Sequence, residues 1–133
     1  MARDEGVIQV RVRYPEVDRM GVAHHSHHFV WFEIGRTELM RGRGLPYTRL
    51  EEEGTFLPVI EAACAYRAPA RYDDLLNVRT VLAQIGPVRV TFSYRIERDA
   101  DGALLATGTT THAAVDGRGR PRRLPARVLG LLG

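Results

Sequence analysis

Between Val7 and Tyr14 the chain alternates without a break. Ile8, Val10, Val12 and Tyr14 fall on one side, and Gln9, Arg11 and Arg13 on the other. That two-residue period predicts a half-buried strand with Tyr14 on its apolar side. Pro15 has no N–H to give and ends the ladder. After a polar loop the period lengthens. From Ser26 to Arg43, the residues Phe29, Phe32, Arg36 and Leu39 form one helical stripe, with Val30, Ile34 and Thr37 beside it. Trp31 and Met40 widen the apolar surface until little of it is polar, so the helix is expected to be largely wrapped by sheet. Gly35 in its middle costs about 1 kcal/mol against Ala, which predicts close approach to a packed backbone. Ser26 is the candidate N-cap, and Gly42 and Gly44 mark the C-terminal end.

Leu45 to Gly54 reads as a short helical connection opening with Pro46. Strand patterns follow. Phe56 to Ala68 is long and apolar, Leu75 to Ile85 alternates, and Val88 to Arg98 alternates strictly. The Asp99-Ala100-Asp101-Gly102 run signals a hairpin into Ala103 to Val115, and Gly86-Pro87 marks another reversal. The basic, then apolar, tail is expected to pack as a terminal turn. The order is one long helix and five strands in a mostly antiparallel sheet, an α+β chain. A single sheet curled around one helix leaves an edge and an open face, which dimerisation would cover.

Composition narrows the picture. With 133 residues, 44% apolar and 26% charged, the chain is expected to be one globular domain over 1–133. The net charge of +3 rests on arginine alone, for there is no lysine. That excess is too small to imply nucleic acid as a partner, although a local arginine cluster suits phosphates. The lone Cys64 cannot form an internal disulfide and is expected to be a buried small hydrophobe. The start of the chain carries no apolar leader segment, and no run approaches the ~20 apolar residues that span a bilayer. The expectation is a cytoplasmic protein with no membrane span.

The candidate chemistry sits at the strand–helix junction. Asp18 lies a few residues ahead of the helix start, where unpaired N–H groups and positive partial charge can stabilise an oxyanion. A carboxylate there can act as base or nucleophile. Glu16 reads as a solvated loop carboxylate. Four histidines, His24, His25, His27 and His28, include i,i+4 and i,i+3 pairs, yet no acid or cysteine stands by them in the sequence, so no metal is expected. His112, among threonines, reads as a plain strand residue.

The run YPEVDRMGVAHHSHHFVWFEIGRTELM resembles the signature segment of hotdog-fold acyl-CoA thioesterases of the 4-hydroxybenzoyl-CoA thioesterase type. The matching residues are Asp18, Gly21, Val22, His25, Glu33 and Arg36. A second block, AYRAPARYDDLLNVRT, is similar to the family's Tyr-x-x-Pro segment through Tyr66, Pro69, Asp73 and Asp74, and GRPRRLP is similar to its closing stretch. The resemblance implies a hotdog fold and hydrolysis of an acyl-CoA thioester to free acid and CoA, without a cofactor. It implies Asp18 as the catalytic carboxylate, the N–H of His25 as oxyanion donor, and the His25 ring as a group that orients substrate or protonates the thiolate. Gly21, Val22, His28 and Glu33 would line the substrate site. Arg89 and Arg122, with neighbouring arginines, would hold the CoA phosphates, and Arg36 would serve the helix–sheet contact. The site is expected between two subunits of a homodimer or dimer of dimers. Where the family's helix often carries Tyr, this chain has His28, a change in the acyl pocket. Rival readings are a non-catalytic acyl-CoA or acyl-carrier-protein binding module, a hotdog dehydratase using His25 or His28 with Glu33, and a metal-dependent hydrolase.

Overall fold

A computed structural model describes residues 5–132 of the chain. Residues 1–4, part of the start read above as lacking a leader, lie outside the described residues. The elements are β1 (Glu5–Arg11), α1 (His27–Gly42), α2 (Tyr47–Glu52), β2 (Val59–Tyr66), β3 (Leu75–Ile85), β4 (Arg89–Arg98), β5 (Leu104–Ala113) and α3 (Ala126–Leu132). The strands form one antiparallel sheet in the order β1-β3-β4-β5-β2.

The register sorts the side chains by face. Val78 stands opposite Ile96, Thr80 opposite Tyr94 and Phe92 opposite Thr110, so one face is continuous across the sheet. Those residues are buried, and α1 lays Trp31, Phe32, Leu39 and Met40 against them. Phe32 stacks on Tyr94 at 4.3 Å and 13°. Gly35 is required here: a Cβ would overlap Thr80 Oγ1 and crowd Val78. The close approach read from its position is therefore real, but it is to side chains of β3 rather than to backbone. Leu124 and Val128 bury the basic tail's apolar end, and the terminal turn packs as a short helix.

Four expectations need correction. Tyr14 is 75% exposed, because β1 ends at Arg11 and residues Tyr14–Glu16 form a 3₁₀ turn that breaks the alternation. Ser26 makes no capping hydrogen bond; its Oγ lies 2.8 Å from His24 Nδ1 instead. The helix is not fully wrapped, since Val30 and Ile34 are exposed. The apolar run at 56–68 is also uncovered, because β2 is an edge strand bonded only to β5, with Val59, Ile60 and Tyr66 open to solvent and Cys64 only half-buried. Among the described residues, nothing covers this apolar edge strand and the apolar helix face beside it.

Candidate active site

Asp18 is fixed by its own loop. Its Oδ1 accepts the N–H groups of Met20 (2.8 Å) and Val22 (3.2 Å), and its main-chain N–H donates to Val22 O (2.9 Å). Gly21 closes this tight turn with φ 75°, a conformation that glycine adopts without strain. The carboxylate is exposed, and its Oδ2 has no partner among the described residues. Residues 22 and 23 then pair with 71 and 70 through Val22–Arg71 and Ala23 N–H to Ala70 O (2.8 Å), which pins the loop to the segment after β2.

The next residues shape the helix start. His24 N–H donates to Glu16 O, and His27 N–H to His24 O. The N–H of His25 makes no hydrogen bond among the described residues, whereas its carbonyl accepts two, from Tyr66 Oη at 2.7 Å and from His28 Nδ1 at 3.2 Å. These bonds hold the peptide that follows the candidate oxyanion donor, and the donor's own peptide is held through its His24 carbonyl, which accepts the His27 N–H. His28 is buried against Tyr66 (4.7 Å) and Trp31 (4.8 Å), and burial lowers its pKa, so the ring stays neutral near neutral pH. A neutral ring with hydrogen on Nδ1 suits its bond to the His25 carbonyl.

Val22, Ala23, His25, His28, Tyr66 and Ala68 line a cavity of about 290 Å³ at this end of α1. Asp18 lies beside it, bonded to its wall at Val22. The structure therefore brings together Asp18, Gly21, Val22, His25 and His28. Tyr66, quoted above only as a motif residue, proves to be part of the same cluster. The spacing of a Tyr-x-x-Pro block could not show that its hydroxyl reaches the helix start. Asp73, Asp74 and Pro69 have scaffold roles. Asp74 accepts from Arg98 Nε and Arg71 N–H, and Arg98 Nη2 donates to Pro69 O.

Glu16 departs from its reading as a solvated carboxylate. It is buried, accepting Arg13 N–H at 2.7 Å, with Arg13 Nη2 at 3.6 Å and His27 Nδ1 at 4.0 Å. The histidines do not converge, and no group of three metal-ligating side chains is placed to hold an ion among the described residues. Glu33 stands away from the cavity, exposed, with Arg36 Nη2 at 3.9 Å. Arg89 and Arg122 lie at the opposite end of the sheet: Arg122 N–H donates to Ala114 O, its Nη1 donates to Gly54 O (2.8 Å), and Arg89 pairs with Ala113. His112 is a strand residue as expected, but a fully buried one, bonded to Thr110 and to Leu57 O.

The profile of the Thioesterase-like superfamily matches residues 12–132. The chain belongs to this family. It is 33% identical over 121 residues to the acyl-CoA thioesterase YbgC of Haemophilus influenzae, covering 90% of this chain and 88% of that one. A hypothetical protein of Thermus thermophilus has a crystal structure that superposes with a TM-score of 0.89 at 42% identity, over 95% of each chain. A mutant 4-hydroxybenzoyl CoA thioesterase complexed with 4-hydroxybenzoyl CoA superposes with a TM-score of 0.87 at 17% identity, over 98% of this chain and 99% of that one. That last likeness speaks for the fold alone. The family's hotdog architecture, a long helix against a five-stranded antiparallel sheet, is the α+β fold expected from the sequence. No helix among the described residues is long and apolar enough to cross a membrane.

Proposed function

We propose that this chain, acting as a single domain over 1–133, hydrolyses acyl-CoA thioesters to the free acid and CoA. The family and the thioesterases among its relatives support the reaction class. The observation that carries the mechanism is local: a carboxylate with one free oxygen and an unpaired N–H at His25 flank one cavity at the start of α1. Asp18 either attacks the thioester carbonyl or takes a proton from the attacking water. As the carbonyl oxygen gains charge, it meets the His25 N–H and the positive end of α1. The C–S bond then breaks and CoA leaves as a thiolate, which the His25 ring protonates; where Asp18 itself attacked, water then hydrolyses the acyl–aspartyl anhydride to the free acid and regenerates the carboxylate. No cofactor enters these steps. Gly21 and Val22 hold the Asp18 loop, and His28 shapes the acyl side of the cavity. A chain with a single cysteine suits the reducing cytoplasm.

The rest of the substrate site requires a second copy. Arg89 and Arg122 stand at the Val59 end of β2, and His25 touches the Tyr66 end, about 23 Å away along the strand. A copy paired antiparallel along the free edge of β2 would reverse that order. Its Arg89 and Arg122 would come to this chain's Asp18 end, where CoA phosphates need them. The exposed Val30, Ile34, Val59 and Ile60 would be covered in the same step. In this homodimer, or dimer of dimers, Glu33 faces the shared groove.

The test is thiol release from short aliphatic, long aliphatic and aromatic acyl-CoAs. Turnover on at least one member is expected. Binding of acyl-CoA without any turnover would overturn the reading in favour of a binding module.

A further inference from the structure

Two more cavities meet at one side chain midway along α1. The larger, about 580 Å³, lies among Glu33, Arg36, Tyr47, Phe56 and Leu57. The smaller, about 290 Å³, is the apolar groove between α1 and β2, walled by Phe29, Val30, Val59 and Ala62. Both include Glu33 and Arg36, and the groove ends on Arg36 and Thr110.

Arg36 is only 8% exposed, and its Nε is buried with no hydrogen-bond partner. Its nearest carboxylate, Glu33, stands 3.9 Å from Nη2, beyond hydrogen-bond length, on a side chain 64% exposed. The other polar neighbours are neutral: the Tyr47 and Tyr94 hydroxyls, which accept from Arg36, and His112. The direction of their hydrogen bonds follows from one acceptor. Leu57 O can only accept, so His112 Nδ1 carries the hydrogen and Nε2 accepts from Thr110 (2.9 Å). Thr110 must then accept from Tyr94 Oη. This chain consumes the Tyr94 proton and supplies no negative charge. A guanidinium buried with an unpaired Nε and only an exposed carboxylate 3.9 Å away is costly, and that cost is relieved when a second carboxylate is delivered to it.

Resting on the thioesterase reading, we propose that Arg36 is the seat for a carboxylate at the far end of the acyl group, so that the preferred substrates are CoA monothioesters of dicarboxylic acids. The acids on the larger cavity lie on its water side. Asp116 Oδ1 is taken by the N–H groups of Arg118 and Arg120, and Glu51 and Glu33 are exposed. The groove side offers apolar walls, Thr110, the guanidinium and the exposed Glu33. Along α1, His25 and Arg36 stand about 16 Å apart, a span shortened because helical side chains lean toward the N-terminus. Acyl length is therefore part of the proposal.

The experiment compares CoA monothioesters of dicarboxylic acids of increasing length with their ω-methyl esters, on the full chain and on Arg36→Met and Arg36→Lys. At the length that reaches Arg36, the free acid should exceed its methyl ester by roughly 10- to 100-fold in kcat/KM, chiefly through KM. In Arg36→Met the free acid should fall to the level of its ester, and Arg36→Lys should restore part of the difference. No advantage at any length, or an advantage that survives Arg36→Met, would overturn the proposal. The wild-type comparison alone decides it should a variant fail to fold. If neither these series nor the aliphatic and aromatic acyl-CoAs are hydrolysed, the thioesterase reading fails, and the same comparison made by calorimetry with non-hydrolysable thioether analogues still decides the carboxylate seat.

Discussion

At the residue scale, the Tyr66 hydroxyl holds the His25 carbonyl, in the peptide that follows the proposed oxyanion donor. Tyr66→Phe removes only that donor. The cavity wall remains, but the main chain next to the proposed donor loses one anchor, and kcat should fall roughly tenfold with KM little changed, as steady-state kinetics will show. His112 carries a second prediction. Burial depresses its pKa from 6.5 to about 4. Between those values the unfolded chain binds a proton that the folded chain does not. Its contribution to stability is therefore complete above pH 6.5 and is lost as the pH falls toward 4, by about 3 kcal/mol. Melting curves across that window should show a steeper acid limb in wild type than in His112→Asn. Asp18 could be singled out from the sequence because its block resembles the family's signature segment, and its place a few residues before a helix suits the role proposed for it. The burial of Glu16 was not legible there, because it depends on Arg13 N–H and on His27 folding back over the turn.

At the scale of elements, α1 and β3 are fitted through the missing side chain of Gly35. Gly35→Ala gains about 1 kcal/mol of helix propensity yet forces a Cβ into Thr80 Oγ1, so a net loss of about 1–2 kcal/mol is expected in chemical denaturation. Adding Thr80→Ala should return most of it, since that change opens the space and removes a buried hydroxyl with no partner. Element order and type could be read from period alone: alternation marked β3 and β4, and the i, i+3, i+4 stripe marked α1. Which strand lies at the edge could not. β2 has the most apolar run in the sheet, a pattern that suggests a central strand, yet it has one neighbour. Pairing order is a property of the whole chain, and the local pattern of 56–68 is the same whether its cover comes from this chain or another.

The whole molecule keeps a polar, arginine-bearing end and the candidate catalytic end at opposite ends of β2, with an apolar helix face exposed beside them. The proposed dimerisation through that edge would resolve both features at once. Val30→Glu with Ile34→Glu places two charges on the uncovered face without touching the core. Sedimentation should report a shift to monomer, and turnover should fall by about 100-fold as the shared groove is lost. A monomeric variant with full activity would show that one chain suffices.

The most direct measurement is thiol release by Asp18→Asn against wild type on the preferred acyl-CoA, with circular dichroism confirming the fold. The asparagine carbonyl oxygen still accepts the Met20 and Val22 N–H groups, so the loop persists while the carboxylate is gone. The account predicts a fall in kcat of about 10²–10⁴ with KM nearly unchanged. Turnover within a few-fold of wild type in the folded variant would contradict it and move the chemistry away from Asp18.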